Sequence, residues 1–224
     1  MATTNRASFD KQLGELQNDL LMLGGMVEKA AIRAVDALRT RDIAASEQVV
    51  KDDDAIDILR FEIEDRCIHL IAQQQPLAGD LRQIIAILHI AVELERMGDY
   101  AEGIGKISMM MGDEPPLKPL VDIPRMADLA TGMLRRSLDA LVGRDVEMAT
   151  EVWNADDEVD QLYDQVYQEL LTYMIHDPAT IQRATFLLWT AHDLERLADR
   201  ATNIAERVIF SVSGKMVEIN RPNY

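Results

Sequence analysis

The chain has one cysteine, Cys67, in 224 residues. That excludes an intramolecular disulfide and a cysteine-based zinc cage. Aromatic residues reach only 5%, so the apolar share rests on Leu, Ile, Ala, Met and Val. Seven prolines and eleven glycines are few, and most fall between long uninterrupted stretches. Positive charge is scarce as well: 23 Lys and Arg stand against 39 Asp and Glu, for a formal net charge of −16. This balance argues against nucleic acid as a partner, because phosphate binding draws its affinity from clustered Lys and Arg. It fits a well-solvated surface or sites for cations. No long hydrophobic run is present. The most apolar stretch, Ile84 to Val92, is too short to span a bilayer and contains His89. Met1 to Gln12 is polar, without an apolar signal core. The expectation is a cytosolic protein with no direct membrane insertion.

What the chain does have is a 48% apolar content, too high for a disordered tail, and an internal repeat. Asp36-Ala37-Leu38 before Arg41-Asp42 recurs as Asp139-Ala140-Leu141 before Arg144-Asp145, an offset of 103 residues. Asp53, Asp54 and Asp57 recur at that offset as Asp156, Asp157 and Asp160. Further on, Leu94-Glu95-Arg96 and Asp99 are matched by Leu194-Glu195-Arg196 and Asp199, now 100 residues apart. The contraction between these blocks belongs in a loop. Ordered matches over this span set the architecture.

Within each unit the period is helical. Leu13, Leu16, Leu20, Leu23 and Val27 recur at three- and four-residue steps, as do Ile56, Leu59, Ile63, Cys67 and Leu70. The second unit repeats the pattern through Val159, Leu162, Val166 and Leu170. The pattern predicts helices near 8–40, 43–74, 79–111, 122–142, 145–175 and 179–213. Asp42 and Asp145 are candidate N-caps. Asp177-Pro178 reads as an N-cap followed by a first-turn proline. The fold class is therefore all-α: a tandem repeat of two elongated antiparallel three-helix bundles over 8–111 and 122–213. A Pro-rich linker over 112–121 joins them, and 214–224 forms an irregular tail. Helices of about 30 residues are about 45 Å long.

The only candidate chemistry lies in four carboxylate pairs spaced four residues apart: Asp53 with Asp57, Glu95 with Asp99, Asp156 with Asp160, and Glu195 with Asp199. Positions i and i+4 share a helix face, so each pair aims its oxygens one way. Like charges so placed cost an isolated helix roughly 0.2–0.5 kcal/mol, and a cation between them reverses the sign. Carboxylates suit Mg²⁺, Mn²⁺, Ca²⁺ and iron, and pairs from neighbouring helices can share ions. Glu102 continues the first face, Asp164 extends another, and His192 stands three residues before Glu195 where the first unit has Val92. Against this stands a solvated face neutralised by Arg60, Arg96, Arg196 and Arg200.

Other residues read as structural. Cys67 is a small core residue, and His69 and His89 lie in apolar stripes as hydrogen-bonded helix residues. Met109-Met110-Met111 pads a contact near the linker. Trp153, Trp189, Tyr163 and Tyr167 read equally as core or interface. Gly24-Gly25, inside a helical pattern, permits close helix approach. There is no Gly-rich phosphate loop and no nucleophile–base constellation.

Four segments carry a resemblance to the PhoU family: Leu23-Gly24-Gly25-Met26-Val27-Glu28, Gln75-Pro76-Leu77-Ala78-Gly79-Asp80-Leu81-Arg82, Glu93-Leu94-Glu95-Arg96-Met97-Gly98-Asp99 and Asp193-Leu194-Glu195-Arg196-Leu197-Ala198-Asp199-Arg200. Ala198 departs from the glycine of the first unit. The resemblance implies a non-enzymatic regulator of phosphate homeostasis in the bacterial cytosol. Such a protein restrains the phosphate ABC transporter through its ATPase subunit. It also holds a sensor histidine kinase in its signal-off state when phosphate is plentiful. The resemblance further implies a homodimer with divalent or trivalent metal ions (Mg, Mn, Zn or Fe) on the acidic faces. Two other readings stand beside it: a carboxylate-bridged metalloenzyme, and a purely structural helical interaction protein.

Overall fold

The computed structural model describes residues 2–215. It contains seven α-helices and, among the described residues, no strand: α1 (Ala2–Thr40), α2 (Ile43–Gln74), α3 (Gly79–Met111), α4 (Asp122–Gly143), α5 (Val146–Asn154), α6 (Asp156–His176) and α7 (Ile181–Ser213). A single 3₁₀ turn, Pro178–Thr180, leads into α7. Helices α1, α2 and α3 pack on one another as one antiparallel bundle, and α4, α5/α6 and α7 as the second. The two meet along α3 against α7 and α1 against α4. The expected tail over 214–224 falls, past Lys215, outside the described residues.

Apolar periodicity sets which face each helix buries. Leu16, Leu20 and Leu23 of α1 meet Ile56 and Ile63 of α2 and Ile84, Leu94 and Met97 of α3, all but excluded from solvent. Burying one such side chain stabilises the fold by about 1.5–3 kcal/mol. The buried side chains form one cluster that runs through both bundles. Cys67 belongs to it, as expected, and burial pushes its thiol up to about 12. His69 and His89, in contrast, are exposed rather than part of an apolar stripe. Gly24 does permit close approach, because a methyl group there would run into Leu138 of α4; Gly25 faces open space.

Caps act where the sequence placed them. The Asp42 carboxylate accepts from Ala45 N–H at 2.9 Å. Asp145 accepts from Glu147 and Met148 N–H at 2.9 and 3.0 Å, and Asp177 from Ala179 N–H at 3.0 Å. The helix expected over 145–175 is two helices instead. At Ala155 the ladder tightens: its N–H is shared between Glu151 and Val152 carbonyls, and Glu158 N–H donates to the Ala155 carbonyl three residues back. Asp156, Asp157 and Glu158 then occupy the first turn of α6, where acids complement the free N–H groups. The unbroken apolar period across Val152 and Val159 concealed this break. In the segment between bundles, Lys118 is buried with its ammonium bound by Asp122 of α4 and Glu169 of α6, which ties that segment to the second bundle.

Two facing carboxylate ladders

In the first bundle α2 and α3 run antiparallel, so the acid pair on one helix meets the pair on the other. One carboxylate oxygen from each of Asp53, Asp99 and Glu102 lies within 4.8 Å of the other two. Asp53 is the most buried of the three. It reaches this position because residue 98 is glycine: a Cβ there would lie 3.0 Å from Asp53 Oδ1 and 3.1 Å from Ile56 Cγ2. Burial pushes the Asp53 carboxyl up to about 7, reinforced by Glu102, Asp57 and Asp99. Asp99 is raised by burial and then by Asp57 and Glu102, and Glu95 by burial and then by Asp99. Lys106 offsets part of this charge through a 2.5 Å ion pair with Glu102. Beside Glu95 and Asp99 an open groove of about 480 Å³ is walled by Arg60, Val92, Arg96 and Tyr100. Arg60 itself is engaged with Glu64 at 2.8 Å and stacks 4.5 Å from the Phe61 ring centre.

The second bundle builds the equivalent ladder from α6 and α7. Asp156 is only 8% exposed, and its Oδ1 is buried without a hydrogen-bond partner. Burial raises its carboxyl to about 7, with Asp160, Asp199 and Glu195 adding to the effect. Glu195 is likewise raised to about 7 by burial and then by Asp199. Asp160 is raised by burial and then by Asp199. Arg196 is the nearest compensating cation, with a terminal nitrogen 2.9 Å from Asp199 Oδ2 and Nε 3.3 Å from Glu195 Oε2. The Glu195 oxygen accepts no hydrogen bond. His192 stands at the end of this ladder, its Nδ1 3.7 Å from Glu195 Oε2 and its ring 6.1 Å from that of Tyr163. Burial, then Arg196, holds its imidazole below the usual histidine range. Of the other aromatics, Tyr167 and Trp189 are exposed, and Phe186 packs edge-on to Trp189 at 5.8 Å.

Among the described residues, oxygens converge within 4.8 Å at Asp53, Asp99 and Glu102, whereas Asp57, Glu95, Asp156, Asp160, Glu195 and Asp199 are linked to their ladder neighbours through charge. Their neighbours are oxygens of like charge, and burial keeps water from screening them fully. A carboxylate set of this kind fits hard or borderline cations, which take oxygen ligands. The acid that the spacing pattern missed is Asp193. It lies against Gly103 of α3, where a Cβ would come 3.0 Å from its Oδ2, and burial alone pushes it up to about 7. Its repeat counterpart is Glu93, which accepts from Arg200 at 3.3 Å and Asn203 at 3.1 Å across the bundle interface. The 100-residue offset, which pairs Arg200 with Tyr100 and Asn203 with Gly103, was the signal available.

Comparisons with known proteins agree on one family. The family model described as PhoU domain matches twice, over residues 20–108 and 123–208. The chain is 40% identical over 216 residues to the phosphate-specific transport system accessory protein PhoU homolog of Caulobacter vibrioides, covering 96% of this chain and 94% of that protein. It is 41% identical over 208 residues to the homolog of the same name from Aquifex aeolicus, covering 93% and 94%. Among solved structures, PhoU from Pseudomonas aeruginosa superposes with a TM-score of 0.88 at 35% identity, over 92% of this chain and all of that one. The phosphate transport system regulatory protein PhoU from Streptococcus pneumoniae also gives 0.88, at 31% identity over 94% and 100%.

Proposed function

The chain belongs to the PhoU family, and on that premise we propose that it is a non-enzymatic accessory of a phosphate-specific transport system whose acidic faces bind metal ions. In this reading it restrains the phosphate ABC transporter through the ATPase subunit. It also keeps a phosphate-responsive sensor histidine kinase in its signal-off state while phosphate is plentiful, working in the cytoplasm as a homodimer. The tandem units span 8–111 and 122–213, joined by the 112–121 segment.

The observation that carries the metal part is the convergence of Asp53, Asp99 and Glu102 within 4.8 Å; in this reading Asp57 and Glu95 join that site, and Asp156, Asp160, Glu195 and Asp199 form its repeat-related counterpart. Burial raises carboxyls in both sets. A divalent or trivalent cation (Mg, Mn, Zn or Fe) relieves that repulsion. A metalloenzyme fits less well. Di-iron bundles gather Glu and Glu-x-x-His ligands from four helices in the bundle interior, whereas each set here comes from two helices and includes exposed acids such as Asp99 and Asp160.

The regulatory reading is tested in cells lacking the chain. Phosphate uptake and kinase autophosphorylation in phosphate-replete medium should both rise, and both should fall again when the chain is restored. Unchanged uptake and kinase state would refute it. Light scattering should return twice the 25.2 kDa chain mass; a monomer at micromolar concentration removes the dimer.

A further inference from the structure

The outer side of the α6–α7 hairpin changes character along its length. On α7, Ile181, Thr185, Leu188, His192, Glu195 and Asp199 follow one another at alternating four- and three-residue steps, so they share one helix face. Acids hold one end of that face, and apolar groups hold the end near the hairpin turn. On α6, Asp156, Asp160, Tyr163, Tyr167 and Leu171 share a face by the same spacing, in the reverse order. The helices run antiparallel, so acids meet acids and apolar groups meet apolar groups. The Tyr163 ring lies 6.1 Å from that of His192 and 6.5 Å from that of Tyr167. Beyond the ladder, the hairpin is therefore an aromatic and aliphatic groove.

This groove is open to solvent. Ile175, one further step along α6, is 72% exposed, Trp189 49%, Ile181 48% and Tyr167 41%. In the first bundle the counterparts of Tyr163 and Tyr167 are Arg60 and Glu64, which close on each other at 2.8 Å. The counterpart of Trp189 is His89. Large apolar side chains held in water on neighbouring helices mark a contact surface, and Trp and Tyr dominate the binding energy of such surfaces. The charge beside them has one sign. α6 carries six acids and no Lys or Arg, and Arg196 of α7 is held by Asp199 and Glu195. A second copy of this chain, itself at −16, meets repulsion there. The space between two antiparallel helices accepts a third, and Ile181 to His192 offers it about 16 Å, three turns of helix.

We propose that this groove docks a cationic amphipathic helix of a partner protein. Its apolar stripe seats against Tyr167, Leu171, Ile181 and Trp189, and its Lys or Arg side chains lie over the acids of α6. The inference gives a partner chemistry to the accessory role proposed above and rests on that role for the existence of a protein partner. It needs no cation on either ladder.

The test uses the full chain with Trp153→Phe, which leaves Trp189 as its one tryptophan. The probe is a synthetic helix of about 14 residues, four turns, with Leu at i, i+4, i+7 and i+11 and Lys elsewhere. Added in chelator, it should shift Trp189 emission to the blue as the indole leaves water. The same peptide with Glu for Lys should leave the emission in place. Tyr167→Ser and Leu171→Ser, both at exposed positions, should each weaken Lys-peptide binding about tenfold or more. Phe61→Ser, at an exposed aromatic of α2, should not. A Lys peptide that leaves Trp189 unmoved, binding indifferent to both groove variants, or equal binding of the Glu peptide overturns the proposal. So does emission that moves to the blue with protein concentration alone, which assigns the groove to a second copy. The accessory role is judged separately: uptake and kinase state that still depend on the chain, beside a failed titration, keep that role and remove this groove from it.

Discussion

Asp53 and Asp156 each keep a proton up to about pH 7 in the folded chain, whereas an unfolded aspartate releases it near pH 4. The folded state therefore binds more protons across that interval, and its stability falls as pH rises through it. With chelator present, the melting temperature should drop between pH 5 and pH 8. Mn²⁺ should restore it at pH 8 and do little at pH 5, where protons compete for the same oxygens. A chelator profile that rises over this range would contradict the burial of these acids. The paired aspartates on α3 and α7 are also separable. Asp99 sits among Asp57 and Glu102 and forms no ion pair among the described residues, so Asp99→Asn should raise metal-free stability by about 0.2–0.5 kcal/mol. Asp199 holds Arg196 at 2.9 Å, and Asp199→Asn should lower it by about 0.2–1 kcal/mol. Each change should remove the metal-induced stabilisation of its own ladder. Melting curves with chelator and with Mn²⁺ read both effects; wild type and variants that ignore the metal would make the acids purely structural. The i,i+4 spacing made these residues visible in the sequence. Asp193 was not, because its burial depends on α3 lying against α7, a contact between helices far apart in the chain.

Helix limits were legible wherever a local chemical signal marks them. Asp42, Asp145 and Asp177 cap helices because a short side-chain oxygen before an apolar period can do little else so well. The break at Ala155 was not legible from periodicity, although three successive acids are an N-terminal signature. The close seat of α2 on α3 hung on Gly98. Gly98→Ala places a methyl group 3.0 Å from Asp53 Oδ1 and 3.1 Å from Ile56 Cγ2, so the Asp53 and Ile56 side chains must yield by a few tenths of an ångström, an overpacking that should cost about 1 kcal/mol. The mirrored exchange, Ala198→Gly, meets no such contact. It should cost about 1 kcal/mol through helix propensity. Urea denaturation of the two variants measures these costs. A metal titration distinguishes them further, since Gly98→Ala alone should weaken the first ladder by displacing Asp53. Equal metal affinity in Gly98→Ala and wild type would show that the glycine serves packing only.

At the scale of the whole molecule, the repeat in the sequence announced two bundles but not how they join. Gly24 was recognisable as a point of close approach; that Leu138 of α4 fills it was not, since nothing local links residues so distant. Nor did the repeat reveal that its symmetry fails at the interface, where Glu93 meets Arg200 and Asn203 while Asp193 meets Gly103.

Helices α3 and α7 each carry acids of one ladder and pack directly against one another where the bundles meet. The two ladders therefore share a mechanical spine, and neither α3 nor α7 can settle onto a cation without moving what the other leans on. Occupancy of the two sites should then be cooperative, and the coupling reciprocal. In calorimetry, Asp99→Asn should alter cation affinity at the untouched second ladder, and Asp199→Asn should alter the first by the same factor. Independent sites, each blind to the loss of the other, would mean that the spine is rigid and the halves report separately. If the coupling holds, the chain responds to the joint filling of its two faces, as a coincidence detector does.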